Sequence, residues 1–242
     1  SRLLSAICLQ YPGPRHVVEQ ILPRITPFPT RLMANIAGST VAEYAEVARL
    51  FDNSPVDAIE INISCPNVKE GGAAFGATPD SAAQVVAAVR QNTRKPIITK
   101  LSPNVTDIRP IATAAIEAGT DAFSAINTMM GMAVDITTRR PILGNKQGGL
   151  SGPAIKPIAL LKVWQLHQVA APHHIPIIGQ GGIASAEDAI EFLLVGATAI
   201  GIGTALFQTP LIGGKIVSGI ADYLCKQGIT DVAALTGTLC CT

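Results

Sequence analysis

Five short stretches of the chain carry side chains and backbone suited to chemistry. Asn62, Ser64, Cys65 and Asn67 crowd together at the end of the apolar run DAIEINI (57–63). Each carboxamide offers both a donor and an acceptor, which suits the edge of a flat polar ring. A partly desolvated, well-aimed thiol beside them is equipped to act as a general base. A lone cysteine is also a common small core residue, so residue type alone leaves both readings open. Lys100 stands inside an otherwise apolar strand candidate that ends in TKLSP (99–103). A lysine there is costly to bury unless it faces an anion or a polarisable ring; the alternative is a stem that snorkels to the rim. Asn127-Thr128 repeats the pairing of carboxamide and hydroxyl at a strand end. Gly179-Gln180-Gly181-Gly182 and Gly201-Ile202-Gly203-Thr204 then follow two successive apolar runs. Such glycines let backbone N–H groups close on a phosphate, although ordinary turns use glycine too.

The elements that must position these groups alternate regularly. Candidate strands are 33–37, 57–63, 96–101, 121–126, 175–179 and 198–203, mostly continuous apolar runs of the kind buried on both faces in a parallel sheet. Helix starts lie between them. Thr40 precedes Glu43 and Ser185 precedes Asp188 at capping-box spacing, and Thr78-Pro79-Asp80 puts proline at a first helical position. Gly119 and Gly196 stand where a left-handed C-cap is wanted. No GxGxxG follows an early strand, which argues against an open dinucleotide-binding sheet. Two glycine-bearing strand ends near the C-terminus instead match the phosphate site after strands seven and eight of a (β/α)8 TIM barrel. Counting back gives six strands, so the expected fold is an α/β barrel of parallel strands missing its first two βα units, one partial domain over residues 1–242. Residues 129–152 break the helical period and read as a lid or binding loop.

Composition fits this picture and excludes others. Of 242 residues, 48% are hydrophobic and 14% charged, which rules out a disordered or fibrous chain. Eighteen basic residues balance seventeen acidic ones, so there is no nucleic-acid footprint. No apolar run approaches membrane-spanning length and the opening residues do not read as a signal peptide. Five scattered cysteines without a CxxC pair argue for a reducing, cytoplasmic setting and against a zinc site.

The motifs NISCPNVKEGGAAFG (62–76), TKLSPNVTDI (99–108), INTMMG (126–131), GGLSGPAIKP (148–157), IIGQGGI (177–183) and GTALF (203–207) resemble dihydroorotate dehydrogenase over almost the whole chain. Cysteine rather than serine in NISCPN resembles the class 1 enzymes, not the membrane-associated quinone-linked ones. The loop and INT motifs resemble class 1B, the NAD-linked catalytic subunit. The resemblance implies oxidation of dihydroorotate to orotate in pyrimidine biosynthesis. It also implies bound FMN, a partner electron-transfer subunit with FAD and a [2Fe-2S] cluster, and a homodimer or heterotetramer. It makes Cys65 the base for the C5 proton. Asn62, Asn67, Asn127 and Thr128, with the segment Ser5, Ala6, Ile7, Cys8 and Leu9, would hold the substrate. Asn35, Asn62, Lys100, Ile126, Gly152, Gly181, Gly182, Gly203 and Thr204 would bind the flavin, the last four around its phosphate.

The chain departs from the family in one stretch. Where the family has NAIGLQNPG, residues 5–13 read SAICLQYPG, so Ser5 and Tyr11 replace asparagines and Cys8 replaces a glycine. A lysine expected on the second strand would fall within the absent units. Two alternatives therefore stand beside the main reading: a related flavin dehydrogenase acting on another dihydropyrimidine, and a non-catalytic flavin-binding barrel.

Overall fold

The computed structural model of the protein describes residues 2–7, 12–64 and 75–240. The first half runs β1 (Leu3–Ser5), α1 (Pro14–His16), a π-helical turn (Val17–Ile21), α2 (Leu22–Ile25), β2 (Met33–Ile36), α3 (Val41–Asp52), β3 (Ala58–Asn62), α4 (Pro79–Arg90), β4 (Ile97–Lys100), α5 (Arg109–Glu117) and β5 (Ala122–Ala125). Four short strands follow: β6 (Met129–Gly131), β7 (Val134–Asp135), β8 (Arg140–Pro141) and β9 (Gly148–Ser151). The second half closes with α6 (Lys156–Ala170), β10 (Ile177–Gln180), α7 (Ala186–Leu194), β11 (Ala199–Gly201), α8 (Ala205–Gln208) and α9 (Ile212–Gln227). Among the described residues, no helix is long and apolar enough to cross a membrane.

All six expected strands form, and they pair in the order β11-β10-β5-β4-β3-β2, every pair parallel. This is the strand–helix alternation of a (β/α) barrel, with β2 and β11 as the two edges. Strand alternation divides the residues between two faces. On β3, Ile59 and Ile61 are fully buried in the core, while Glu60 and Asn62 take the opposite face. On β10, a side chain at Gly179 would meet Phe192 of α7, so Gln180 points away from the helices. The apolar core thus lies between sheet and helices, with Tyr44, Val85, Ala112, Val163 and Phe192 among its buried contributors.

The helix starts form as their sequences predict. Thr40, Thr78 and Ser185 each accept a hydrogen bond from the backbone N–H three residues on. The two capping boxes close one residue early, however. Glu43 accepts from Ser39 N at 2.6 Å and Asp188 from Ala184 N at 2.9 Å, rather than from the cap residues themselves. Gly119 and Gly196 both have positive φ, as left-handed C-caps require.

Residues 129–152 are more structured than their sequence implies. β6 and β9 pair antiparallel, β1 adds to the other side of β9, and β7–β8 form a hairpin of two-residue strands. Strands of two to four residues are too short to establish an alternation that a sequence reading detects. This small sheet joins the N-terminal segment to the end of the barrel where the parallel strands finish.

Candidate active site

The C-terminal ends of the parallel strands carry a connected polar mesh. Asn62 Oδ1 accepts from Ser64 Oγ at 2.9 Å and from Asn127 Nδ2 at 3.3 Å, and Asn127 Nδ2 also donates to Ser64 Oγ at 2.8 Å. Asn62 Nδ2 donates to Asn35 Oδ1 at 3.3 Å, and Asn35 Nδ2 donates in turn to Glu60. Glu60 then receives Ser124 Oγ at 2.6 Å and lies 3.4 Å from Lys100 Nζ. The register explains the convergence, because Asn35 pairs with Glu60, Asn62 with Lys100, and Lys100 with Ser124 across four adjacent strands. Tyr44 of α3 fixes the end of β3 by donating its hydroxyl to the Asn62 carbonyl at 2.8 Å.

A cleft opens beside this mesh. Its walls include Lys100, Ile126, Asn127 and Thr128 on one side, with Ser151, Gly152, Gln180 to Ile183, Gly201 and Gly203 to Ala205 on the other. Gly181 and Gly182 have φ of +129 and +85, which side-chain-bearing residues rarely adopt. A Cβ on Gly182 would sit 2.9 Å from the Gly152 carbonyl oxygen and 3.0 Å from the Lys156 nitrogen. That turn is held from behind. Lys156 Nζ binds Asp188 at 2.6 Å and Glu191 at 2.8 Å, and both bonds hold the ammonium above its ordinary range. For Asp188, burial pushes the carboxyl up, yet the bonds from Lys156 and Ala184 N outweigh it and leave it below 3.8.

Two observations describe what fits the cleft. Gln180 lines it, its Nε2 buried and without a hydrogen-bond partner among the described residues. Among the described residues, nothing beyond its chain neighbours comes within 4 Å of the position a Cβ on Gly203 would take. A donor awaiting an acceptor, glycine backbone open to approach, and a lysine with carboxamides opposite suit a ligand with an electron-rich ring and a phosphate.

Of the remaining sequence-predicted residues, Ile126, Thr128 and Thr204 lie at the same cleft, and Thr204 Oγ1 donates to Ser151 Oγ at 2.8 Å. β1 carries Ser5 opposite Gly149 of β9, and the Ala6 carbonyl accepts from Asn145 Nδ2 at 3.4 Å. Ile7 is exposed. Cys8, Leu9, Cys65 and Asn67 lie outside the described residues. Ser64, which directly precedes Cys65 in sequence, is bonded to the cleft residue Asn127.

Several contributors escape the sequence reading. Glu60 is the clearest, and its signal is an acidic residue inside DAIEINI. Asn104 is another: it donates to the Thr128 carbonyl at 3.0 Å and accepts from Met130 N at 2.9 Å, so it sets the course of the chain past Asn127. Lys162, buried in α6, donates to the carbonyls of Val105 and Thr106 at 2.8 Å each. Its desolvation lowers the ammonium pKa. Among the described residues no group of three or more His, Cys, Asp or Glu side chains could hold a metal ion.

A family model, Dihydroorotate dehydrogenase, matches residues 1–224. The chain belongs to the dihydroorotate dehydrogenase family. It is 52% identical over 238 residues to the "Dihydroorotate dehydrogenase B (NAD(+)), catalytic subunit" of Geotalea daltonii, covering 98% of this chain and 77% of that protein. The subunit of the same name from Porphyromonas gingivalis is 52% identical over 240 residues, covering 99% and 77%. That from Desulforudis audaxviator is 50% identical over 236 residues, covering 97% and 76%. A crystal structure of DHODH from Eimeria tenella in complex with ferulenol superposes with a TM-score of 0.74 at 22% identity, covering 93% of this chain and 66% of that one. That likeness establishes the barrel fold of the dihydroorotate dehydrogenase family for this chain.

Proposed function

We propose that the chain oxidises dihydroorotate to orotate with bound FMN, as the catalytic subunit of an NAD-linked, class 1B enzyme. One observation supports this above the others: the Asn62–Ser64–Asn127 mesh, from which the chain runs into Cys65, opens on the same cleft as the two glycine turns. The turns at Gly181–Gly182 and Gly203–Thr204, with Gly152, hold the FMN phosphate end. Lys100, Asn35, Asn62 and Ile126 hold the ring end. FMN, when bound, supplies the acceptor for the hydride that leaves C6 of the substrate.

The chain's own residues do the rest. Asn62, Asn67, Asn127 and Thr128 orient the pyrimidine through paired donors and acceptors. Ser5, paired with Gly149 across β1 and β9, and the residues Ala6, Ile7, Cys8 and Leu9 that follow it in sequence add further contacts to the substrate. Cys65 takes the proton from C5. Lys100 places positive charge against the ring that becomes electron-rich. Electrons then leave to a separate electron-transfer subunit bearing FAD and a [2Fe-2S] cluster. A second reading, oxidation of another dihydropyrimidine, draws on Ser5, Cys8 and Tyr11, which stand where the family has Asn, Gly and Asn.

The test is anaerobic bleaching of the FMN-loaded chain. Dihydroorotate is expected to bleach the flavin, and dihydrouracil is not. Bleaching by dihydrouracil alone would establish the second reading, and bleaching by neither would overturn both.

A further inference from the structure

We propose that Glu60 is a positioning residue that holds Lys100 at the cleft wall and offsets part of its charge, so that the pair, not the lysine alone, sets how strongly the site favours reduced flavin. This deepens the flavin reading above and rests on it.

Glu60 occupies a costly place. Its side chain is 6% exposed, in the middle of a strand whose neighbours on either side are fully buried isoleucines. A buried ion pair rarely outperforms apolar residues of the same volume in stability. Fold stability alone therefore gives little reason for a carboxylate there. Its partners point to a task. Ser124 Oγ of β5 donates to Oε1 and Asn35 Nδ2 of β2 to Oε2, which also lies 3.4 Å from Lys100 Nζ. Among the described residues no other carboxylate pairs with Lys100. Lys100 in turn lines the cleft. The ammonium therefore stands between a fixed negative charge behind it and the ligand in front.

The sign of the effect follows. Lys100 stabilises negative charge on the ring, and Glu60 acts through the lysine by drawing its ammonium back and partly offsetting it, so removing the Glu60 charge frees the ammonium toward the ring and favours the reduced cofactor. Because Asn35 bonds both Glu60 and Asn62, the same carboxylate also steadies the carboxamide that faces the substrate.

The experiment measures the midpoint potential of FMN on the reconstituted chain. Glu60→Gln is expected to shift the reduction equilibrium about tenfold toward reduced flavin, about 30 mV upward for a two-electron couple. Lys100→Met is expected to shift it downward, and adding Glu60→Gln to Lys100→Met should recover less than about a third of the single-variant effect. An unchanged potential in Glu60→Gln would overturn the proposal, whatever happens to its melting temperature. So would an equal shift in the Lys100→Met background, because Glu60 would then act without the lysine. Should Glu60→Gln not fold, Glu60→Asp keeps the charge: its potential should stay near the parent's while Lys100 loosens, and a large upward shift would count against the idea. A flavin-free arm separates the two layers of argument. Acetylation of Lys100 in the apo chain, followed by mass spectrometry, should quicken at least about threefold in Glu60→Asp and Glu60→Gln. If the parent chain takes up no FMN, the functional reading falls, yet unchanged acetylation is still what would overturn the pairing.

Discussion

The cleft has two unlike walls. The wall built from β10, β11 and the turn at Gly152 is made of backbone: glycines at positive φ, packed so closely that a single methyl on Gly182 would meet a carbonyl at 2.9 Å. The other wall is backed by side chains from β2 to β5: Asn35, Glu60, Asn62, Ser64 and Ser124 stand behind it, joined edge to edge with the cleft-lining Lys100 and Asn127. A backbone wall is set by conformation and fails sterically. A side-chain wall is set by hydrogen bonding and charge, and it can be retuned without being emptied. On the proposed function the first anchors and the second reacts, so damage to each should be read by a different measurement.

The sharpest way to break this division is Cys65→Ala. On the side-chain side, it is expected to slow flavin reduction by dihydroorotate about 10²–10⁴-fold, the usual weight of a general base. FMN content should stay at the parent's level. Stopped-flow reduction and flavin absorbance of the purified variant check both halves, and a parallel loss of FMN would dissolve the contrast. Gly182→Ala probes the other wall. Strain of about 1–3 kcal/mol at a positive φ is expected to raise the FMN dissociation constant about tenfold, seen by fluorescence titration, with a smaller change in reduction rate at saturating FMN. The smallest effect belongs to Asp188→Asn, which loosens the Lys156 brace behind the glycine turn and should cost about 1–2 kcal/mol in denaturant unfolding. Because the Asp188 carboxyl is held below its ordinary 3.8 in the folded chain, its contribution is present above that pH and is lost as pH falls through the folded value. The parent's advantage over Asp188→Asn should therefore shrink in melts below about pH 4.

The same division governs what was legible in the sequence. The parallel strands were readable because long apolar runs between capped helices repeat, and the glycine wall because glycines recur at two successive strand ends. Lys100, Asn62 and Asn127 stood out as polar residues interrupting or ending apolar runs. Glu60 interrupts DAIEINI in the same way, but a carboxylate suggests no flavin contact by itself, and its value appears only when the fold brings its side chain to Lys100 on the neighbouring strand. Asn104 and Lys162 act through backbone carbonyls, and no residue spacing encodes which carbonyl a side chain will reach. The small sheet of β1, β9 and β6 was hidden for a different reason: its strands are short and their partners lie far apart along the chain.

That distance has a consequence for assembly. Leu3 through Ser5 find their partners at Ser151 through Gly149, so the rim over the reacting end closes only after most of the intervening chain is in place. Pairings of such long span are slow to form and rest on few bonds. The rim is thus expected to be the last feature completed in refolding and the first whose amides exchange with solvent, leaving the anchoring floor standing while the roof above it breathes.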